Sequence, residues 1–275
     1  MSGLAPPLPA PPIPRLPRRT WANDPRKRER LLGVLTPFVI LALWEACARM
    51  GLFDTRFFPP PSIIALAFAD MIRDGTLGGE LAVSARRLAY GLIGGTIPGV
   101  VVGLAMGMSA TIRAVVDPII SALMPVPKTV IVPLSMLIFG VGETSDIVMV
   151  AIGVFFPMAI NAYAGVAGVP PIYFDVARSL RVSRLTVFTS IAWPGALATM
   201  FAGFQLAVAN GLIILTVVEM LGATEGLGHM IWSSWQVFEV PRMYVGIIVI
   251  SAAGVVIQLV MKEVKRVLLR WDPAA

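Results

Sequence analysis

Residues 173–194 read Tyr173-Phe-Asp-Val-Ala-Arg-Ser-Leu-Arg-Val-Ser-Arg-Leu-Thr-Val-Phe-Thr-Ser-Ile-Ala-Trp-Pro194. The stretches on either side are apolar over about 20 residues each, which is enough to span a bilayer. The segment itself carries too many charges to span, yet its apolar residues recur at helical spacing, as at Phe174, Ala177 and Leu180. This pattern predicts two short amphipathic helices with a turn near 181–183. An ordered basic segment outside the lipid favours a docking site for a partner.

The composition of the chain indicates a membrane protein. Of its 275 residues, 57% are hydrophobic and 14% are charged, whereas a soluble domain carries about 25% charged residues. We therefore predict an all-α membrane protein in which the segment 59–72, which opens with prolines and has a short apolar run, forms an interfacial helix. Six runs are long enough to be transmembrane helices, at about 31–50, 86–108, 118–139, 146–168, 195–221 and 243–264.

The basic residues indicate the topology. Residues 1–30 combine eight prolines, seven of them by position 17, with the cluster Arg26-Lys-Arg-Glu-Arg30, which predicts a disordered cytoplasmic tail against anionic membrane lipid, followed by a transmembrane domain at 31–270. Lys and Arg number fifteen on the side of the tail and of segment 170–194, against four on the other side. We therefore expect both termini in the cytoplasm. The net charge of +6 is explained by topology, so no nucleic-acid partner is expected.

The predicted spans contain glycines at every fourth position and scattered polar residues. Such glycines allow close helix packing, either within one subunit or at a moving interface; they are Gly91, Gly95, Gly99, Gly103 and Gly107. Prolines crowd the segment 125–133, which suggests an irregular helix that lines a cavity, as an alternative to ordinary kinked packing. Polar residues in spans are either pathway residues or hydrogen-bonding partners of neighbouring helices; the candidates are Lys128, Asn161, Gln205, Asn210, Thr216 and Glu219.

The sequence lacks the motifs of a self-sufficient enzyme. It contains no Gly-x-x-x-x-Gly-Lys-[Ser/Thr] phosphate loop, no nucleophile elbow and no zinc-binding spacing, and it has one histidine and one cysteine. We therefore predict no catalytic residue, no metal site and no cofactor bound by this chain. Energy for any transport must come from a partner.

The opening segment resembles the hallmark loop of permease subunits from binding-protein-dependent ABC importers. That loop reads Glu-Ala-Ala, three residues, Gly, nine residues, Ile, one residue, Leu-Pro. Here Asp175-Val176-Ala177 stand for Glu-Ala-Ala, Ile191 for Ile and Trp193-Pro194 for Leu-Pro, without a gap. Arg181 stands at the glycine. If this position has a positive φ, arginine costs on the order of 1 kcal/mol there.

The resemblance extends over roughly residues 31–270 and is closest to the nitrate, sulfonate and taurine branch. It implies a type I, methionine-importer-like fold in a bacterial inner membrane, with a second permease copy, a dimer of ABC ATPase subunits that uses ATP and Mg, and a periplasmic or lipid-anchored substrate-binding protein. The matching segments are Leu43-Trp-Glu-Ala, Phe57-Phe-Pro-Pro-Pro-Ser62, Pro125-Val-Pro-Lys128, Phe139-Gly-Val-Gly-Glu143, Phe156-Pro-Met-Ala-Ile-Asn161 and Val218-Glu-Met-Leu-Gly-Ala223. The residues implied in ATPase coupling are Asp175, Val176, Ala177, Arg178, Ser179, Leu180, Arg181 and Arg184.

Several functions remain open at this point. The first is an importer permease for a small anion such as nitrate, a sulfonate or taurine, which the cation Lys128 favours. The second keeps the permease but changes its cargo to a vitamin precursor or another heterocycle. An ion-coupled secondary transporter is a third, although inverted repeats and paired intramembrane carboxylates are not visible. The last is a membrane scaffold without a pathway, against which the polar residues in the spans argue.

Overall fold

The computed structural model describes residues 25–269, which form helices and short connections without a β-strand. Residues 1–24 of the predicted tail lie outside this range, and a helix already begins at Pro25. The helices are α1 Pro25–Arg49, α2 Pro61–Arg73, α3 Thr76–Met108, α4 Ala110–Leu123, α5 Val132–Phe139, α6 Glu143–Ala167, α7 Pro171–Ser179, α8 Arg184–Val187, α9 Trp193–Gly222, α10 Leu227–Gln236 and α11 Val240–Leu268.

The helices confirm a multi-pass membrane protein. Four described segments are long and apolar enough to cross a membrane, namely α3, α6, the continuous stretch Arg184–Gly222 and α11. The stretches Ala110–Leu123 and Lys128–Phe139 form a bent pair that would be a fifth crossing. The predicted span 31–50 falls in α1, several of whose side chains lie outside the described set. The all-α prediction is therefore confirmed, while the number of six crossings is not established for residues 25–269.

The stretch 118–139 was predicted as one span, but in the structure it is broken into two halves. α4 ends at Leu123, a 3₁₀ turn follows at Lys128–Ile131, and the two halves meet at an angle of 87°. Pro125 and Pro127 account for the break, since proline has no N–H to donate and disfavours a helical conformation in the residue before it. The crowded prolines thus produce an irregular segment between α4 and α5.

The predicted interfacial helix corresponds to α2, whose start is fixed by α1. Pro61 occupies its first turn, where a proline is favoured. The Glu45 carboxylate accepts hydrogen bonds from the Ser62 backbone N–H (3.0 Å) and from the Ser62 hydroxyl (2.8 Å). Arg49 donates to the same carboxylate at 2.6 Å. The i, i+4 pair on α1 therefore also stabilises the positive end of the α2 dipole.

The glycine ladder of α3 packs along α6 of the same chain. Gly91 lies against Val150, Gly99 against Met158 and the last glycine, Gly107, against Val166. The register is constant along the ladder, so the two helices run parallel. A β-carbon added at any of the five glycines would come within 3.0 Å of an α6 atom. The absence of side chains is therefore what allows this close contact.

α6 is the centre of the bundle, with α3 on one side and α9 on the other. Its residues Met149, Val150 and Val154 are fully buried. α9 runs antiparallel to α6, because Gly165 packs against Ala196 near one end and Gly153 against Ile214 near the other. This three-helix core fixes where the polar groups of the spans lie.

Candidate functional site

The segment that opened the sequence analysis forms a helical hairpin, the α7–α8 hairpin (residues 171–187), at one end of the bundle. Arg181 N–H donates to the Arg178 carbonyl and Val182 N–H to the Ala177 carbonyl, both at 3.1 Å. These two bonds form a Schellman motif. Arg181 occupies its left-handed position with φ of +53°. Arg181 therefore has the positive φ at which a non-glycine residue costs about 1 kcal/mol.

The second helix of the hairpin has its own start signal. The Ser183 hydroxyl accepts a hydrogen bond from the Thr186 backbone N–H at 3.1 Å, as an N-cap residue does. Beyond α8, a π turn at Phe188–Ala192 leads without interruption into α9. The hairpin is thus a defined structure that is continuous with a membrane-spanning helix.

The two faces of α7 have different surroundings. Phe174 and Ala177 face the bundle, where Ala177 is 5% exposed. Leu180 had been grouped with them by sequence spacing, but it is 71% exposed and shares the outer face with Val176. Tyr173 is also exposed there. An exposed apolar patch of this kind is typical of an interaction site.

Charged groups surround this exposed apolar face. Asp175 and Arg178 form an ion pair on α7, with Nη1 and Oδ1 3.5 Å apart. The Ser179 hydroxyl donates to the Asp175 carbonyl at 3.0 Å. Arg181 and Arg184 are both exposed. All eight residues implied in coupling therefore lie on one hairpin, and Ala177 is the one among them that is buried.

A second feature is a cavity at the break between α4 and α5, which we call the break cavity. It has a volume of about 310 Å³ and contains two of the predicted pathway residues, Lys128 and Asn210. Lys128 Nζ donates to three backbone carbonyls and lies 4.5 Å from the centroid of the Phe156 ring. A carbonyl cluster therefore satisfies the lysine. The segment and residues that line the cavity are 124–129, Gly153, Phe156, Pro157, Asn210, Ile213 and Ile214.

The remaining pathway candidates are not brought together. The Asn161 amide donates to the Pro157 carbonyl at 2.8 Å, and the Thr216 hydroxyl donates to the Leu212 carbonyl at 2.8 Å. Gln205 lines a different surface cavity, beside α11. Glu219 belongs to a buried ion cluster near the end of the bundle opposite the hairpin.

This buried ion cluster was missed by the sequence analysis apart from Glu219. It joins Arg87 of α3 to Glu219 of α9 (Nη1 to Oε1, 3.0 Å) and to Asp146 of α6 (Nη1 to Oδ2, 3.5 Å). All three side chains are at least 95% buried. Within the described residues, neither Asp146 oxygen accepts a hydrogen bond. The signal was present in the sequence, as ionisable residues at similar depth in three spans.

The cluster also holds α10 in place. The Glu219 carboxylate accepts hydrogen bonds from the Gly228 N–H (3.0 Å) and from the Ser84 hydroxyl (2.8 Å). Ser84 in turn accepts from the Leu227 N–H at 2.8 Å. The Gly226 N–H donates to Glu80. The amides at the start of α10 are thus bound by acceptors from α3 and α9, in keeping with the positive end of its dipole.

The bundle with its broken span and its exposed hairpin is the architecture of a membrane transport permease, and the comparison with protein families agrees. The family model described as "binding-protein-dependent transport system inner membrane component" matches residues 99–268. The chain therefore belongs to this family.

Relatives support the same assignment over most of the chain. The taurine transport system permease protein TauC of Escherichia coli is 33% identical and covers 92% of this chain and 94% of its own length. The putative aliphatic sulfonates transport permease protein SsuC of Bacillus subtilis is 32% identical, with 87% of both chains covered. The nitrate import permease protein NrtB of Synechococcus elongatus is 29% identical and covers 79% of this chain and 81% of its own.

Solved structures resemble the fold. The MetNI methionine ABC transporter in an inward-facing conformation has a TM-score of 0.60 at 15% identity, with 70% of this chain and 94% of the other covered. An amino acid ABC transporter has a TM-score of 0.56 at 20% identity, with 74% and 98% covered. The prediction of a type I ABC importer permease, a transport subunit and not an enzyme, is confirmed by the family and the relatives.

Proposed function

We propose that this chain forms the translocation pathway of an ATP-driven importer for a small anion, such as a sulfonate, taurine or nitrate, and that the α7–α8 hairpin couples it to a separate ATPase. The proposal includes a second permease copy, a substrate-binding protein outside the membrane and both termini in the cytoplasm. ATP and Mg²⁺ belong to the partner ATPase. Family membership also favours this function over an ion-coupled secondary transporter.

The observation that carries the coupling proposal is the exposed apolar face of the hairpin. Val176 and Leu180 are 49% and 71% exposed, and the Asp175–Arg178 pair lies beside them. Apolar side chains give a docked helix its affinity, while charged neighbours fix its register. A cleft on an ATPase that accepts one helix of this kind fits both groups.

The hairpin is positioned to transmit a movement to the core helices. Phe174 and Ala177 share a cavity wall with Ala105 and Met108 at the end of α3, and three residues separate α6 from α7. A movement of the hairpin therefore acts on the ends of two core helices at once. Closure of an ATPase dimer would in this way bias a bundle that has two arrangements.

Support for an anionic cargo comes from the relatives and from one cation. The printed names of the relatives refer to sulfonates, taurine and nitrate. In this chain, Lys128 lies in the wall of the break cavity, and no ion pair to it is present within the described residues. A cation at membrane depth without a carboxylate favours an anion over a neutral heterocycle.

The coupling proposal is tested by Leu180→Glu in the full chain, co-purified with its partner ATPase and binding protein. We expect the affinity for the ATPase to fall at least about ten-fold, because a carboxylate replaces an apolar anchor at the interface. ATP hydrolysis stimulated by the loaded binding protein should fall with it. The matched control is Val237→Glu, an exposed position (65%) at the opposite end of the bundle, which should leave ATPase affinity unchanged. Normal ATPase binding by the Leu180→Glu complex would refute the assignment.

A further inference from the structure

The break cavity contains a cation that is held in place without being neutralised. Lys128 Nζ donates to the carbonyls of Leu123 (2.8 Å), Met124 (3.0 Å) and Val126 (2.8 Å). In an unbroken helix the amide of residue 127 would bind the Leu123 carbonyl, but Pro127 has no N–H. The lysine thus supplies donors to the carbonyls at the break, although the Leu123 carbonyl also accepts from the Val126 N–H at 3.3 Å.

All groups that hold the ammonium are electrically neutral. They are three carbonyl dipoles and the face of the Phe156 ring, whose centroid lies 4.5 Å from Nζ. Carbonyls and aromatic rings fix the position of an ammonium group but leave its full charge. With no carboxylate in an ion pair with Lys128 among residues 25–269, the positive potential extends into the cavity. A low-dielectric wall strengthens that potential.

Two polar side chains accompany the cation. Thr129 follows it in the 3₁₀ turn, and Asn210 approaches from α9; both line the break cavity and both are exposed. Within the described residues neither side chain has a hydrogen-bond partner, unlike Asn161 and Thr216, whose side chains donate to their own helices. A hydroxyl and an amide are therefore available for a ligand.

The rest of the wall is apolar. Phe156, Ile213 and Ile214 line it together with Gly153, and the cavity volume of about 310 Å³ is at the lower end of the range for small-molecule sites. The combination of one cation, two hydrogen-bonding groups and an apolar wall suits a monoanion with a short alkyl body. An alkyl sulfonate has this composition, with three acceptor oxygens on one side and methylene groups on the other.

We propose that the break cavity is an anion-binding site of the translocation pathway. The charge of Lys128 attracts the anion, Thr129 and Asn210 donate hydrogen bonds to its oxygens, and Phe156 with its apolar neighbours contacts the alkyl part. The assignment rests on the proposed function, since it names where the cargo of that importer is bound. The three carbonyls act as positioning groups for the ammonium.

The electrostatic potential of the cavity is measured by cysteine reactivity, which does not depend on transport. The measurement uses the full complex with its ATPase and binding protein. Cys47, the one cysteine of the chain, is changed to serine and Asn210 to cysteine. The probes are two methanethiosulfonate reagents, one with a sulfonatoethyl and one with a trimethylammonioethyl group. We expect the ratio of the anionic to the cationic reaction rate to fall about ten-fold when Lys128→Met is added, because the attraction for the anion is lost.

Two matched variants complete this measurement. Lys128→Arg keeps the charge and should keep the ratio within about two-fold, and Lys262→Met, which removes an exposed lysine of α11, should leave it unchanged. Ethanesulfonate at saturating concentration should slow the reaction of the cysteine at position 210. A ratio that Lys128→Met does not change, or a cysteine that reacts with neither reagent, overturns the assignment of the site.

Measurements of transport distinguish an incorrect site assignment from an incorrect proposed function. In proteoliposomes of the wild-type complex, the probes are ethanesulfonate, taurine and nitrate. We expect Lys128→Met to lower anion uptake per ATP hydrolysed about ten-fold. If the wild-type complex takes up an anion and Lys128→Met does not change that uptake, the site assignment is refuted and the proposed function is not. Absence of uptake of all three probes by an active wild-type complex refutes the anionic cargo.

Discussion

The two ends of the bundle hold their charged residues in opposite ways. At one end, Arg87, Asp146 and Glu219 are buried between α3, α6 and α9 and bind the start of α10. At the other end, Asp175 and Arg178 form a pair whose side chains are 60% and 82% exposed. The residue types are similar, but the exposed pair is accessible to water and the buried cluster of three is not.

This difference separates groups that hold the fold from groups that are free for a partner. Removing one partner of a buried ion pair leaves an uncompensated charge and costs about 3–5 kcal/mol. An exposed pair contributes about 0–1 kcal/mol, because water solvates both ions when it is broken. We therefore expect the buried ion cluster to govern stability and the hairpin charges to govern association.

The largest expected effect is that of Arg87→Met. It leaves Asp146 and Glu219 buried without a cation, so we expect the free energy of unfolding to fall by about 3–5 kcal/mol. Thermal unfolding of the detergent-solubilised chain measures the loss. Limited proteolysis at residues 223–226, which connect α9 to α10, should also become faster.

The neighbouring residue provides the control for this variant. Arg86 pairs with Glu143 at 3.0 Å, and the two side chains are about half exposed. Arg86→Met should therefore change the unfolding free energy by less than about 1 kcal/mol. If both variants have the same small effect, burial does not separate the charged groups that hold the fold from those that do not.

A smaller effect is expected from the turns at the two ends. Arg181 closes α7 with φ of +53°, and Phe238 closes α10 with φ of +57° in the same Schellman geometry, with the N–H of Glu239 bonded to the Ser234 carbonyl at 2.8 Å. Glycine at either position should raise the free energy of unfolding by about 1 kcal/mol, since glycine adopts a positive φ without a steric cost. Chemical denaturation of each single variant measures this.

The two turns are expected to differ in their effect on association with the ATPase. With Arg181→Gly, association with the ATPase should be unchanged or improved. Phe238→Gly serves as the comparison, because it lies far from the hairpin. If Arg181→Gly stabilises the chain but abolishes ATPase binding, the guanidinium itself contacts the ATPase, and the arginine is retained for that contact.

The smallest effect on stability is expected from Asp175→Asn. The variant removes an exposed ion pair and keeps the side-chain shape, so the unfolding free energy should change by less than about 1 kcal/mol. Association with the ATPase should become weaker and less dependent on salt, because a charge that fixes register is lost. A loss of stability comparable to that of Arg87→Met would remove the contrast between the two ends.

The sequence predicted best what depends on neighbouring residues. The two short helices, their turn and the positive φ condition at Arg181 follow from local patterning and from a motif with fixed spacing, and the irregular stretch around Pro125 and Pro127 follows from proline chemistry. The family also followed from the ordered resemblance, which the family model now confirms.

What depends on the relative rotation of helices was not predictable in the same way. Arg87 and Asp146 were not identified as partners, because their meeting requires the register of α3 on α6. Leu180 was grouped with Phe174 and Ala177 by spacing alone, but the left-handed turn directly after it ends the helix, and Leu180 is exposed. The break of 87° could be expected as a kink, but its angle depends on the helices packed around it.

The glycine ladder has a consequence for how force passes through the membrane. Because the glycines of α3 lie directly against α6 at five successive levels in one register, sliding of one helix along the other would produce a steric clash at every level. The two helices therefore form one rigid unit, and the hairpin is attached to one end of it. A displacement of the hairpin is not absorbed by sliding within this unit. We expect a displacement of the hairpin to reach the far end of this unit, where Arg87 and Asp146 meet Glu219 of α9.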